Sequence, residues 1–429
     1  MMRARHLAAF TAAAALAACG KAPELDQTGA QPQLPKVEQR LVPAMKIPRP
    51  TGWDGALPTV PQGAVVRAIA TDLKVPRQMV ILPNGDILVA EGMGGGAPKL
   101  RPKDVIAGYI KSLGKTSVKG GDRLTLLRNA DGDGNYELKT VFAEGLNAPY
   151  GLALVGDELF VANQDALVRF PYREGMTRVD GPPDEVTKLP SEINHHWTKA
   201  LTASADGSKL YVGIGSNSNV GERGMGIEED RAVVWEIDRA SGAHRTYVSG
   251  IRNPTALAVE PTTGVIWSVV NERDEIGENL VPDYLTSLRP GGFYGWPYSY
   301  WGKHVDPRPR PQRPDLVASA IAPDYALGSH VAALGLAFAN VPGLGEGAFV
   351  GQHGSWNRRS PSGYKVVWVP FANGKPSGKP RDIVTGFLDG DNKARGRPVG
   401  VAWDPAGNAL LVADDLSNTI WRVTFSEGN

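Results

Sequence analysis

Four short stretches of this 429-residue chain carry residue types that could do chemistry. They are Asn194-His195-His196-Trp197-Thr198-Lys199, Gly250-Ile251-Arg252-Asn253-Pro254, Asn271-Glu272-Arg273-Asp274-Glu275-Ile276-Gly277-Glu278-Asn279 and Arg395-Gly396-Arg397-Pro398. A histidine titrates near neutral pH and can act as a general base. His195 and His196 are adjacent, so on an extended chain they point opposite ways and are poorly placed to share one metal. Arg395 and Arg397 would point to the same side of an extended segment, where two guanidinium groups can grip carboxylates or phosphates. Acidic side chains among irregular backbone carbonyls, as in Asn271–Asn279, suit a hard cation such as Ca²⁺; a solvated acidic loop has the same composition. Asp131-Gly132-Asp133-Gly134-Asn135 opens like an EF-hand loop, but its twelfth position would be Phe142, so a hairpin turn is expected there.

These stretches need elements to position them, and the sequence supplies a repeat. Two short apolar runs joined by a Gly/Asp turn recur beyond residue 60: Pro76–Leu82 with Ile87–Glu91, and Pro149–Leu154 with Leu159–Asn163. Ala200–Ala203 pairs with Leu210–Gly213, and Pro254–Val259 with Val265–Val269. A looser copy is Leu334–Phe338 with Ala348–Gly351, and the last is Pro398–Trp403 with Leu410–Asp414. Each unit reads as two strands and a tight turn, followed by chain that can supply outer strands. One such sheet cannot bury both faces alone, so the units must stack around a ring. The expected fold is all-β, a six-bladed β-propeller with long inter-strand loops over residues 62–429; a pair of β-sandwiches is the alternative. In a propeller the first strand of each blade lines the axis. The stretches preceding the third, fourth and sixth units would then converge on one small volume.

Composition agrees with such a fold. Gly and Pro contribute 51 and 34 residues with no collagen-like period, which means many turns, and 42% of residues are hydrophobic, enough for a large core. The 46 basic and 45 acidic residues give no general attraction to nucleic acid. The N-terminus reads as an address. Arg3 and Arg5 precede an apolar run, Leu7–Ala18, too short to span about 30 Å of hydrocarbon. That run ends in Leu16-Ala17-Ala18-Cys19, which resembles a bacterial lipobox, with Cys19 as the lipidated residue. An ordinary secretory signal with a chance cysteine is the other reading. Residues 1–18 would be removed as a signal peptide, leaving a net charge of −1. Residues 19–61, with eight prolines from Gly20 to Pro61, would form an extended tether. The chain would be exported, face the periplasm, touch the membrane only through its lipid, and sit in the outer membrane, as Gly20 after Cys19 implies.

The ordered motifs also carry a resemblance. His-x-x-x-Lys before a strand, G-x-R-N-P, N-E-R-D, Y-G-W-P (Tyr294–Pro297) and a late R-x-R-P-V-G together resemble the glucose/sorbosone dehydrogenase family over about residues 65–425. N-E-R-D-E-I-G-E-N-L and Q-H-G-S-W-N-R are closest to its L-sorbosone dehydrogenase branch. The resemblance implies a six-bladed propeller holding pyrroloquinoline quinone (PQQ) and Ca²⁺, oxidising an aldose or aldehyde sugar such as sorbosone. Electrons would pass to a quinone or cytochrome. It implies that Arg395 and Arg397 grip the cofactor, Arg252 and Asn253 lie near its quinone oxygens, and His196 is the base, unless the register is off by one and His195 is. Carbonyls near Arg273 and Asp274 would hold Ca²⁺, and Glu278 and Tyr294 a second, structural ion. Tyr325 and His330 would line the sugar pocket. The glucose enzymes place a lysine against the quinone where this chain has His353-Gly354-Ser355-Trp356-Asn357-Arg358, so His353 or Arg358 would substitute. Two other functions fit a propeller: a calcium-dependent lactonase, which has no need of converging arginines, and a non-enzymatic envelope scaffold.

Overall fold

The computed structural model describes residues 25–38, 44–95, 102–114 and 118–426. Residues 1–18 and Cys19 lie outside the described residues. Six antiparallel sheets form the blades of a nearly all-β propeller. Blade 1 comprises Pro76–Ile81, Ile87–Glu91, Arg123–Arg128 and Leu138–Ala143, and blade 2 comprises Gly151–Val155, Glu158–Ala162, Ala166–Pro171 and Asp184–Lys188. Blade 3 is Lys199–Ala203, Lys209–Ile214, Val233–Asp238 and His244–Ser249; blade 4 is Pro254–Val259, Ile266–Val270, Pro282–Ser287 and Tyr325–Ser329. Blade 5 is built on Ala333–Val341, Gly345–Gln352, Lys365–Ala372 and Arg381–Val384. Blade 6 takes Pro398–Asp404, Ala409–Asp414 and Thr419–Thr424 from the C-terminal end and its outermost strand, Val65–Ala70, from the other end of the chain. That last pairing closes the ring, and the repeat gave no sign of it.

The first strand of every blade touches the first strands of both neighbours around the axis. Glycine allows that approach: a Cβ at Gly335 or Gly400 would meet the backbone of the next first strand at Val399 or Arg77. The recurring small residue of the repeat is therefore a spacing device. Six of the seven apolar clusters each fill one seam between neighbouring blades, and the seventh packs Ile276, Leu280 and Val281 against Tyr300. Leu88, Leu126 and Phe142 of blade 1 meet Leu159, Val161 and Phe170 of blade 2, and Phe349 and Trp368 of blade 5 meet Leu410 and Trp421 of blade 6. Both faces of each sheet are thus covered, which is why Ile87–Glu91 is buried at every position rather than at alternate ones.

The described part of the proline-rich segment differs from an extended tether. It is laid across the propeller. Thr28–Gly29 pairs with Tyr325–Ser329 at the edge of blade 4, Lys46 N–H donates to the Trp356 carbonyl (2.9 Å), and Thr59 pairs with Thr385. Trp53 lies edge-on to Phe387 and Trp421, with ring centroids 5.3 and 5.0 Å away, and its Nε1 donates to Asp414 (3.1 Å). Proline removes backbone donors and stiffens the chain, but the non-proline residues between still find partners.

Candidate active site at one mouth of the propeller

All six first strands begin at the same mouth of the axial channel. The loops joining second to third strands open there too, because strand direction alternates within a blade. Residues just before or at the start of the first strands (His196, Lys199, Arg252, Asn253, Arg397, Arg77) therefore meet loop residues such as Asn271–Glu278, His353 and Asp415.

His196 Nδ1 lies 2.8 Å from the Ser216 carbonyl and 3.0 Å from its hydroxyl, which itself donates to the Ser218 carbonyl. A carbonyl only accepts, so Nδ1 carries the proton and Nε2 keeps its lone pair. Desolvation, then the positive Arg252 and the neighbouring His195, hold the His196 pKa well below the usual imidazole range. A neutral imidazole with a free Nε2 can take a proton. A Cβ at Gly215 would collide with both His196 and Asn253, so glycine there lets the two side chains approach. Asn253 leaves its buried Oδ1 without a partner among the described residues.

Arg252 is 2% exposed, and its donors organise the loop beside it. Nη1 donates to the Glu272 carbonyl (2.7 Å), Nε to the Asn219 carbonyl (3.1 Å), and Nη2 to the Asn219 side chain and, at 3.3 Å, to Asp274. The Asp274 carboxylate also faces His330 Nδ1 (3.4 Å), whose Nε2 lies 2.9 Å from the Gly277 carbonyl. Burial alone would lower the His330 pKa; Asp274 and the Gly277 carbonyl outweigh it and leave it raised. Two further carboxyls are buried behind this loop: burial pushes Glu272 up to about 7 and Asp283 up to about 6. Arg273 forms a buried ion pair with Asp306, and its Nη1 also donates to the Asp274 carbonyl (2.6 Å).

On the opposite side, Asp415 accepts from Arg77 Nη1 (2.8 Å) and lies 3.0 Å from His353 Nε2. Burial would raise the Asp415 pKa, but His353, Arg77 and Arg397 hold it far below the usual carboxylate range. Arg77 also lies over the Trp197 ring, 5.2 Å from its centroid. Arg397 is 2% exposed; its Nη2 donates to the Gly114 carbonyl and its buried Nε has no partner among the described residues. No carboxylate among the described residues pairs with Arg397, Lys199 or Arg231, all of them buried. A mouth with buried cations that form no direct ion pair among the described residues, and with an open base, is chemically suited to a flat polyanionic ligand beside a hydroxyl that must lose its proton.

Several expected site residues lie elsewhere. Arg395 does not share a side with Arg397: it is half-buried and reaches toward the Gly386 carbonyl (3.4 Å). The segment there is not a strand, since Ala394 bridges to Pro50 and Leu388 and the regular strand starts at Pro398, so alternation does not apply. Tyr325 points into the seam between blades 4 and 5 and donates to the Gly378 carbonyl (3.0 Å), far from the mouth. Glu278 and Tyr294 are not brought together. Glu278 accepts from the Arg359 N–H (2.6 Å), while Tyr294 is in the seam between blades 3 and 4, bonded to Ser287 and Arg289. Arg358 holds the Glu278 carbonyl (2.8 Å) at the rim. Asp131, Asp133 and Glu137 cluster, exposed, on the expected hairpin of blade 1.

A family model described as TrAA12-like matches residues 58–287 and 314–426. The chain belongs to the TrAA12-like family. This TrAA12-like chain is 26% identical over 308 residues to an uncharacterised protein of Borreliella burgdorferi, spanning 68% of this chain and 79% of that one. A stretch of 130 residues is 34% identical to a pyrroloquinoline quinone-dependent pyranose dehydrogenase of Coprinopsis cinerea, covering 26% of this chain and 17% of the enzyme. Among solved structures, the holo form of the pyranose dehydrogenase PQQ domain from Coprinopsis cinerea superposes with a TM-score of 0.70 at 21% identity, over 88% of this chain and 98% of that one. At that identity the superposition speaks for the propeller fold.

Three residues of the TrAA12-like site escaped the sequence reading. Arg77 sits one residue into the first repeat, in the position after the proline, and a comparison of that position across units would have singled it out. Asp415 directly follows the sixth unit's second strand, as Glu272 nearly does in the fourth, and Arg231 ends a loop with no repeat signal at all.

Proposed function

We propose that this chain is a PQQ- and Ca²⁺-dependent dehydrogenase that oxidises an aldose or aldehyde sugar, sorbosone among the candidates, and passes electrons to a quinone or cytochrome. The observation that carries the reading is His196: neutral, tethered through Nδ1, and open at Nε2 beside Arg252 and Asn253. When bound, PQQ supplies an ortho-quinone able to accept a hydride equivalent, and Ca²⁺ supplies Lewis acidity. The residues present fit that group. Arg397 offers its guanidinium to a carboxylate, with a buried Nε unpartnered among the described residues, Arg77 adds positive charge beside Asp415, and the Asn253 amide oxygen, also unpartnered among them, is available at the mouth. The Arg273 backbone and Asp274 would hold the cation. His353, oriented by Asp415, stands in the blade-5 position of the family lysine. His196 Nε2 takes the proton from the substrate hydroxyl as its carbon is oxidised, and His330 borders the substrate space. Export and lipidation at Cys19 belong to the same proposal.

The test uses the chain from residue 20 onward, stripped with EDTA, then given PQQ with and without Ca²⁺. Cofactor binding is read by calorimetry and turnover by dye reduction on a panel of aldoses and sorbosone. Turnover that needs both additions supports the reading. Tight PQQ binding with no turnover on any sugar would remove the substrate assignment, and no binding would overturn the whole.

A further inference from the structure

Behind His196 two buried cations converge on one neutral amide. Asn194 Oδ1 accepts from Lys199 Nζ (3.1 Å) and from both terminal nitrogens of Arg231 (3.2 and 3.3 Å). Arg231 also donates to the Pro190 carbonyl (2.6 Å) and, through Nη2, to the carbonyl of His196 itself (3.0 Å). Its guanidinium thus ties the start of the 190–197 segment to the peptide that carries the imidazole. Both segments joined here are strained. Ile193 and Asn194 have φ of 64° and 46°, and Asp230 and Ala232, on either side of Arg231, both have φ of 54°. A β-branched residue in the left-handed region persists only where its surroundings over-determine it. The Ala232 carbonyl accepts from the Ile251 N–H (3.1 Å), directly before Arg252, and Arg231 lies outside every motif that suggested a function.

We propose that Arg231 is a positioning residue for His196: its fork fixes the His196 peptide, and its charge, which forms no direct ion pair among the described residues although buried Glu228 lies close enough to act on it, disfavours a second cation on the imidazole. The inference rests on the reading of His196 as the base. The charged groups facing His196 are Arg252, His195 and Arg231, with Ser216 as its hydrogen-bond partner. The carboxylate on the loop behind Ser216 is Glu228, which accepts from the Asn217 N–H and the Ser218 hydroxyl. Burial pushes Arg231 itself down to about 10, so it stays a cation at working pH, whereas buried Lys199, pushed well below its usual range, is the weaker contributor of charge. A lysine at 231 would keep the charge and lose the fork; a methionine would lose both.

The experiment separates the two roles. In the ligand-free chain, histidine ¹⁵N NMR follows His196, assigned with His196→Gln, in the wild type, Arg231→Lys and Arg231→Met. Removing a nearby positive charge favours imidazolium, so the His196 midpoint is expected to rise in Arg231→Met and to stay low in Arg231→Lys. With PQQ and Ca²⁺ added, the acid limb of kcat/KM moves to higher pH in Arg231→Met only. In Arg231→Lys, kcat falls at least tenfold with the acid limb unmoved and PQQ affinity within twofold of the wild type. An unmoved His196 midpoint in Arg231→Met overturns the charge role. Full kcat in Arg231→Lys overturns the fork role, and that variant serves where Arg231→Met does not fold. The NMR arm needs no turnover, so it stands if the dehydrogenase reading fails.

Discussion

At the scale of single residues the decisive features are hydrogen bonds that fix a protonation state. His196 keeps Nε2 free because Ser216 occupies Nδ1, so His196→Ala is expected to lower kcat by about 10²- to 10⁴-fold, the range of a lost general base, while PQQ still binds. A His196 pKa held below the usual 6.5 puts the acid limb of the pH profile below pH 6.5. The same depression has a sign for stability. The unfolded chain protonates this histidine near 6.5 and the native one does not, so its contribution is complete above that value and lost as pH falls below it. Asp415 behaves in the same sense at lower pH, because its native pKa is depressed by His353 and Arg77. Asp415→Asn is therefore expected to destabilise the fold by about 3 kcal/mol at neutral pH, since it leaves Arg77 buried without its carboxylate. Urea unfolding would show this, and the penalty should shrink as the wild type is taken below pH 3.8, where its own carboxyl loses the advantage.

At the scale of elements, the described part of the segment before residue 62 does structural work that its composition conceals. Its contacts run from the edge of blade 4, past Trp356 on blade 5, to the Trp53 anchor against blade 6. Truncating Trp53 to alanine removes an aromatic that packs on Phe387 and Trp421 and a hydrogen bond to Asp414, and is expected to cost about 3 kcal/mol. The measurement is the denaturant midpoint at constant m-value. Asp414 explains why the loss would reach the site: the same carboxylate accepts the Arg397 N–H (2.8 Å). The pleat rule failed for Arg395 and Arg397 for an element-level reason too, since the linker between blades is pinned by bridges rather than extended in a sheet.

At the scale of the whole molecule, ring closure couples the ends of the chain. The outermost strand of blade 6, Val65–Ala70, precedes all of blade 1, and it pairs with Thr419–Thr424. Without it the seam of blade 6 would expose Ile420 and Val423, both buried in the closed ring. A chain beginning at residue 72 is expected to lose cooperative thermal unfolding, whereas one beginning at residue 62 keeps it with a lower Tm; calorimetry distinguishes them. Six seams filled by six clusters also mean that the loops of one mouth are held by independent blades. Residues remote in sequence, such as Arg77 and Asp415, can then be fixed within 2.8 Å of each other.

The sequence by itself determined the number of blades, the axial position of the repeated strands, and the convergence of His196, Arg252, Asn253 and Arg397 on one mouth. These follow from local chemistry: short paired apolar runs, turn residues, and small residues where backbones must approach. Only the tertiary structure decided where Arg395, Tyr325, Glu278 and Tyr294 point, that Arg77 and Asp415 complete the site, and that the proline-rich segment packs. Those outcomes depend on which loop lies opposite a side chain across a seam or a mouth. That pairing joins residues hundreds of positions apart, and no local spacing encodes it.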